Sequence, residues 1–286
     1  MLFNRIVLST LLVALVWTSS LVESNAQTVL DGLVVKEHTP TQKVVPYPPL
    51  READIMWQKR VWRVIELKEK INQPLYLPLD EINDRKNLFH VIKHGIEDQL
   101  ITAYSTGPAG QDDEFTEPMT KDQVMAELSK MDTQWVDDLD NPGELVQVVQ
   151  AIETQSSDIK KYKLKEIWFF DKKRSVLDVR IIGIAPQKED KTEGGDIRGY
   201  KDMFWLYFEE CRYLFVNYEV FNLHNDAERM SYDDLFMKRR FSSYIIKEEN
   251  VFNRLISEYK AGIDAILESE RVKNDIFLLE HDLWHF

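Results

Sequence analysis

The sequence predicts an α+β protein in which a small central antiparallel sheet is flanked by helices and preceded by an extended, Pro-rich N-terminal arm. The middle of the chain, residues 166–184, is rich in Ile, Val, Phe and Trp, which favour strands. Apolar residues recur at helical spacing on both sides of this segment. Residues 27–50 contain four of the ten prolines and show no periodicity, which is typical of an extended arm.

The composition excludes several classes of protein. With 286 residues, 44% of them hydrophobic, and only ten glycines, the chain can bury a core and is neither collagen-like nor wholly disordered. A net charge of −13 argues against binding to nucleic acid or to anionic lipid, because both require positive potential. The single cysteine, Cys211, excludes a disulfide within the chain, and we expect it to be buried.

Residues 1–26 have the pattern of a secretory signal peptide. A positively charged start, Met1–Arg5, precedes the apolar run Ile6–Val16, and the small residues Ser24 and Ala26 follow at the positions that a signal peptidase recognises. The run is too short to span a bilayer, and no cysteine follows it that could carry a lipid. We therefore expect a cleaved signal peptide and a soluble, exported protein.

The arm at 27–50 precedes a single predicted domain at 51–286. The arm is expected either to be free or to lie on a partner. The domain begins with a predicted helix from Arg51 to Asn72, because its apolar residues fall on one helical stripe. This segment contains Trp57 and Trp62, which are either core residues or exposed anchors for a partner.

The other elements follow from periodicity, capping and turn signals. In the N-terminal half these predict a helix at 87–100, a loop at 105–118 and a helix from the Thr120–Gln123 capping box to Met131. In the C-terminal half they predict a hairpin of 166–170 with 176–184, strands at 203–208 and 218–221, a capped helix at 231–240, a helix at 251–267 and a last helix from Val272.

One motif in the sequence could bind a metal ion, although its signal is weak. His90 and His94 are four residues apart on a predicted helix and Glu97 follows three later, a spacing that can place three metal ligands on one face. The Glu that a zinc protease motif requires is missing, because Val91 occupies its position. A periplasmic metal-dependent hydrolase using His90 and His94 is therefore the alternative function, and no catalytic residue or cofactor is predicted.

Three aromatic-rich segments carry a resemblance to a known family. They are Arg51–Trp57 with Lys59–Arg63, Tyr207–Tyr213 with Asn217–Asn222, and Asp234–Phe236 with Arg239–Ile245. Together these segments resemble the gliding motility protein GldN, also called PorN, of Bacteroidota. The resemblance extends over nearly the whole chain after the arm.

The resemblance implies a non-enzymatic, periplasmic component of the type IX secretion and gliding machinery, associated with the outer membrane. Members of the family form a ring with an outer-membrane lipoprotein of the GldK/PorK type. The ring is expected to connect to the periplasmic region of an inner-membrane motor protein of the GldM/PorM type. The implied partners are therefore these two proteins and further copies of the chain, with no nucleic acid and no cofactor.

A ring requires contacts in which one face of a copy meets a different face of its neighbour. Residues 111–140 hold ten acidic side chains against two lysines, and they would complement a basic strip at 238–240. The predicted interface residues are Trp57, Trp62, Asp112, Asp113, Asp137, Asp138, Lys238, Arg239 and Arg240. Reversing Arg239 and Arg240 to Glu is expected to reduce ring recovery and leave the fold intact.

Two further expectations concern the arm and the tryptophans. The arm at 27–50 is expected to lie on the lipoprotein partner, in place of a lipid anchor. If Trp57 or Trp62 were exposed, either could instead serve as a stacking platform in a peptidoglycan-binding module.

Overall fold

The computed structural model describes residues 42–81, 85–108, 110, 112–137, 145–191, 197–222 and 229–283, and for 130–137, 145–152 and 191 it describes the backbone alone. The predicted signal peptide, the first part of the arm and Asp138 lie outside the described residues.

Ten strands and seven helices make up the described part of the chain. The strands are β1 (Ile55–Glu66), β2 (Ala103–Tyr104), β3 (Pro118–Met119), β4 (Ser129–Asp137), β5 (Leu145–Glu153), β6 (Ile159–Asp171), β7 (Val176–Lys191), β8 (Ile197–Asp202), β9 (Trp205–Tyr207) and β10 (Tyr244–Glu248). The helices are α1 (Gln73–Tyr76), α2 (Leu88–Glu97), α3 (Lys121–Leu128), α4 (Phe208–Phe215), α5 (Tyr232–Met237), α6 (Ile256–Tyr259) and α7 (Ile263–Leu283).

The predicted α+β class is confirmed. Eight strands form one antiparallel sheet in the order β10-β1-β6-β7-β9-β2-β3, with β8 also pairing with β7. Strands β4 and β5 form a separate hairpin. The long strands β1, β6 and β7 lie at the centre of the sheet, and their register places Trp62 opposite both Lys165 of β6 and Lys247 of β10.

The helix predicted from Arg51 to Asn72 is wrong, because most of this segment is the central strand β1. Five consecutive residues, Val61–Ile65, are buried, since both faces of the sheet are covered at this point. A strand that is buried on both faces loses the alternation of apolar and polar residues. The apolar residues of β1 happen to fall at helical spacing, and the wrong prediction was based on that spacing.

Capping residues mark the starts of two predicted helices, and the capping box at Thr120 was itself predicted. Asn87 caps α2 by accepting a hydrogen bond from the His90 N–H (2.8 Å), and Thr120 with Gln123 forms the predicted capping box of α3. Helix α3 ends at Leu128, three residues before the predicted end at Met131, because strand β4 begins at Ser129. Helix ends are less well marked in the sequence than helix starts.

The hairpin prediction is confirmed, and its strands β6 and β7 are longer than predicted. The predicted strand at 218–221 is instead a single bridge between Glu219 and Ser231. The predicted helix at 251–267 is also wrong. A turn with Gly262 at a φ of +59° separates the short helix α6 from α7, which continues through the predicted start at Val272.

Helices cover one face of the sheet in two groups. Helices α2, α4 and α5 enclose the main core, where the rings of Phe208 and Phe215 pack 5.4 and 5.9 Å from that of Phe236. Helix α7 packs on β1 and β10 around Val61, Ile245, Val272 and Ile276, and it shields this edge of the sheet.

A loop covers the other face of the sheet. Its Phe115 packs on a small cluster that contains Trp62, Ala185 and Trp205. Phe115 fits closely here because Gly183 lacks a side chain: a Cβ atom at this position would lie 2.5 Å from Cζ of Phe115 and 3.2 Å from Cε3 of Trp205.

Replacing Gly183 by Val is expected to lower the free energy of unfolding by about 1–3 kcal/mol, because the new side chain would displace Phe115. The matched control is Gly199→Val, since nothing lies within 4 Å of a Cβ atom at this second strand glycine. Urea denaturation followed by tryptophan fluorescence would measure both variants. Equal losses would contradict the packing of Phe115 on Gly183.

Candidate interaction surface

The end of the predicted arm is bound to the folded domain of its own chain. Nη2 of Arg212 donates a hydrogen bond to the carbonyl oxygen of Val45 (2.7 Å), and Nη2 of Arg180 donates one to the carbonyl oxygen of Pro48 (2.8 Å). The ring of Tyr47 contacts both guanidinium groups, with its centroid 4.4 Å from Cζ of Arg212 and 4.8 Å from that of Arg180. We call the site formed by Arg180, Arg212 and Asp233 the arm seat.

Asp233 holds Arg212 in the arm seat. It accepts hydrogen bonds from Nε (2.8 Å) and Nη2 (3.3 Å) of Arg212, and the two side chains are 8% and 1% exposed. Burial lowers the pKa of Arg212, but the hydrogen bond and charge of Asp233 raise it above its usual value. Burial also raises the pKa of Tyr47. Arg212 therefore keeps its charge and presents a fixed donor to the arm.

A second buried ion pair involves the predicted interface residue Arg239. The carboxylate of Glu166 is fully buried and accepts hydrogen bonds from Nη1 (2.9 Å) and Nη2 (3.3 Å) of Arg239. Nε1 of Trp168 donates to the same carboxylate (3.0 Å), and the Arg239 backbone lies in the left-handed region with a φ of +50°. The charge of Arg239 is thus compensated within the chain.

The predicted residues Trp62 and Asp113 are in direct contact. Nε1 of Trp62 donates a hydrogen bond to Asp113, and Nζ of Lys247 lies 4.1 Å from a ring centroid of Trp62. Lys165, whose side chain is 5% exposed, donates to the carbonyl oxygen (2.7 Å) and Oδ1 (3.2 Å) of Asp113. Burial lowers the pKa of Lys247. Since Trp62 is only 4% exposed, it offers no open face on which a glycan could stack.

Of the other predicted interface residues, Asp112 adjoins this cluster and Trp57 lies apart from it. Asp112 accepts hydrogen bonds from the Glu114 N–H and the Thr116 hydroxyl, which together lower its pKa. Trp57 is half-buried against the core beneath α7. These contacts stabilise the loop and the sheet of the chain itself.

Of the remaining predicted interface residues, two are exposed and two have side chains that the structure does not describe. Lys238 is exposed and pairs with Asp234 (2.9 Å) one helical turn away, and Arg240 is exposed as well. Asp137 ends β4, where only the backbone is described, and Asp138 lies outside the described residues. Within the chain, Lys238 and Arg239 pair with Asp234 and Glu166, which lie outside the acidic region 111–140.

The predicted metal ligands do not form a site. Nδ1 of His94 lies 2.9 Å from Oδ2 of Asp98, and burial lowers the pKa of half-buried His90. Among the residues whose side chains are described, no group of three His, Cys, Asp or Glu is placed to hold a metal ion. Cys211 is fully buried, and burial raises the pKa of its thiol far above the usual range. The hydrolase alternative therefore gains no support.

Sequence reasoning missed the residues that hold these clusters together. Lys165 and Glu166 lie within strand β6, and Arg212 lies in an aromatic-rich helix. Charged residues inside an otherwise apolar strand or helix are a signal that could have found them, because buried charges require partners. Which residues supply those partners is visible only in the fold.

Within the described ranges, no helix combines the length and the apolar character needed to cross a membrane.

The fold and these contacts define an α+β protein that is stiffened by buried ion pairs and carries a bound N-terminal segment. The chain belongs to the GldN family, since the family model described as "Gliding motility associated protein GldN" matches residues 50–285. The match confirms the predicted family and a role in gliding motility. No curated protein matches the chain.

Replacing Arg239 by Gln is expected to lower the free energy of unfolding by about 1.5–3 kcal/mol, because it removes two charge-assisted hydrogen bonds to the buried carboxylate of Glu166. The matched control is Lys238→Gln, which removes only an exposed ion pair and should cost about 0–1 kcal/mol. Guanidinium denaturation of both variants measures the difference. A small effect at Arg239 would contradict the buried pair.

For the same reason, reversing Arg239 to Glu is no longer expected to leave the fold intact. The new carboxylate would face the carboxylate of Glu166 in a buried site. Loss of rings in that variant would report unfolding as well as any loss of contact between copies.

Proposed function

We propose that the chain is a non-enzymatic structural component of the type IX secretion and gliding machinery, and that it acts in the periplasm at the outer membrane. The observation that carries the proposal is the family match over residues 50–285. The signal-peptide pattern at 1–26 supports export. In this proposal the chain forms a ring with copies of itself and an outer-membrane lipoprotein of the GldK/PorK type, and the ring contacts a motor protein of the GldM/PorM type.

The contacts of the described residues support a structural role. Arg212 forms a buried, hydrogen-bonded pair with Asp233, and half-buried Arg239 forms one with the buried carboxylate of Glu166. Such pairs fix the geometry of the elements they join. A component of a large assembly must keep its shape under load from its neighbours. Rigid elements also present a docking face without the entropic cost of ordering it on binding.

Contacts between neighbours in the ring remain a proposal. If the acidic region 111–140 meets the basic strip, then Lys238 and Arg240 are the members suited to the contact, because both are exposed. Arg239 and Asp113 are less accessible, because they pair with Glu166 and Lys165, whose side chains are 0% and 5% exposed.

Isolation of the native complex tests the proposed function. The tagged chain would be purified from gently solubilised outer membranes of its host, its partners identified by mass spectrometry and the particles imaged by negative stain. Rings containing a lipoprotein are expected. A free monomer with no lipoprotein would contradict the proposal.

The contact between the arm and the lipoprotein can be tested separately, because the arm seat contacts residues 45–48 of the arm and the preceding residues can be deleted without changing these contacts. Deleting residues 27–44 leaves Val45 and Tyr47 in place, so the midpoint of denaturation should not change while recovery of the lipoprotein falls. The control is Tyr47→Ala, which should lower the free energy of unfolding by about 1–2 kcal/mol through lost burial and cation–π contacts. Full recovery of the lipoprotein after the deletion would contradict the contact.

A further inference from the structure

Helix α7 carries large apolar residues on two opposite faces. Its inner face, with Val272 and Ile276, is buried on the sheet. Five large apolar residues of the same helix are exposed: Ile263 (76%), Ile266 (66%), Leu267 (61%), Phe277 (63%) and Leu278 (51%). At 100° per residue these five residues lie on the side of the helix opposite Val272.

This outer face is too apolar for a surface that only meets water. A helix of a monomeric domain usually has one apolar stripe and a polar opposite face. Clusters of large exposed apolar residues mark sites of contact with other molecules. We define the outer stripe as positions 263, 267, 270, 274, 277 and 281, which are spaced alternately by four and three residues.

The outer stripe is complementary to itself when two copies of the helix run in opposite directions. Leu267 and Phe277 lie at equal distances from position 272, and so do Glu270 and Asn274. An antiparallel pair therefore places Leu267 of each copy against Phe277 of the other. Glu270 of each copy then meets Asn274 of the other in a central polar layer, and such polar layers specify register and orientation.

A parallel pair is disfavoured, because it would bring the two Glu270 carboxylates together and align the two helix dipoles. A membrane surface is also disfavoured as the occupant. The helix carries six acidic side chains against two basic ones, Arg271 and Lys273, and anionic lipid would repel it.

We propose that the outer stripe of α7 binds the same stripe of a second copy, so that two copies form an antiparallel helix pair about a two-fold axis near position 272. This contact goes beyond the proposed ring. A ring is closed by head-to-tail contacts, whereas this contact joins identical faces and is complete with two copies.

Self-association of the purified chain without residues 1–26 and without any partner tests the pair. Analytical ultracentrifugation should show a concentration-dependent dimer. Leu267→Glu should weaken self-association by at least about tenfold, because it buries a charge in the pair. Ile71→Glu is the matched control, since Ile71 is similarly exposed (55%) but lies outside α7, and it should leave the dimer unchanged.

The orientation is tested by cross-linking. Chains with Glu270→Cys are mixed with chains with Asn274→Cys and oxidised, which is practicable because the only native cysteine, Cys211, is fully buried. A disulfide in the mixture but in neither variant alone is the result expected of the antiparallel pair. Cross-linking of each variant with itself would indicate a parallel pair and overturn the proposal.

Three other results would also overturn it: a monomer at all concentrations, a dimer that Leu267→Glu does not weaken, or binding to vesicles of anionic lipid that Leu267→Glu abolishes without any dimer. Because the purified chain contains no lipoprotein, these results are independent of the isolation of rings from the host. Failure here would leave the proposed function untouched.

Discussion

The structure depends on one constraint, which is that the charged residues of the central strand β6 must find partners inside the fold. Strand β6 is covered on both faces, yet it carries Lys163, Lys165 and Glu166, of which Glu166 is fully buried. Lys163 pairs with Asp202 (2.8 Å), Lys165 with Asp113 and Glu166 with Arg239. Buried charge is tolerated only when it is paired and hydrogen-bonded, so each of these contacts fixes where another segment of the chain must lie.

These three pairs explain much of the arrangement around the sheet. Asp113 brings the loop with Phe115 onto the face that carries Trp62, and Arg239 ties the segment after α5 to the opposite face. Asp202 is the last residue of β8, and its pair with Lys163 holds this end of the strand against the sheet. Since each pair joins residues that are far apart in sequence, the charges of β6 position elements that apolar packing alone would leave free to slide.

Features that depend on residues close together in the sequence were predicted, whereas features that depend on distant residues were not. Local signals were reliable at two places: the capping box at Thr120 and the turn between β6 and β7 depend on neighbouring residues, and both were predicted. Strand β1 was mistaken for a helix, because its burial on both faces is a property of the sheet and not of the segment. Arg239 and Lys238 are adjacent and chemically similar, yet one is paired with a buried carboxylate and the other is exposed, and only the fold distinguishes them.

The arm seat has a consequence for the order in which the chain can fold. Its components Arg180, Arg212 and Asp233 come from β7, α4 and α5, and 167 residues separate Val45 from Arg212. A chain that is made from its N-terminus contains the arm long before it contains Arg212 and Asp233 of the seat. The arm therefore cannot dock until most of the domain has been made, and its contacts with the seat form late in folding.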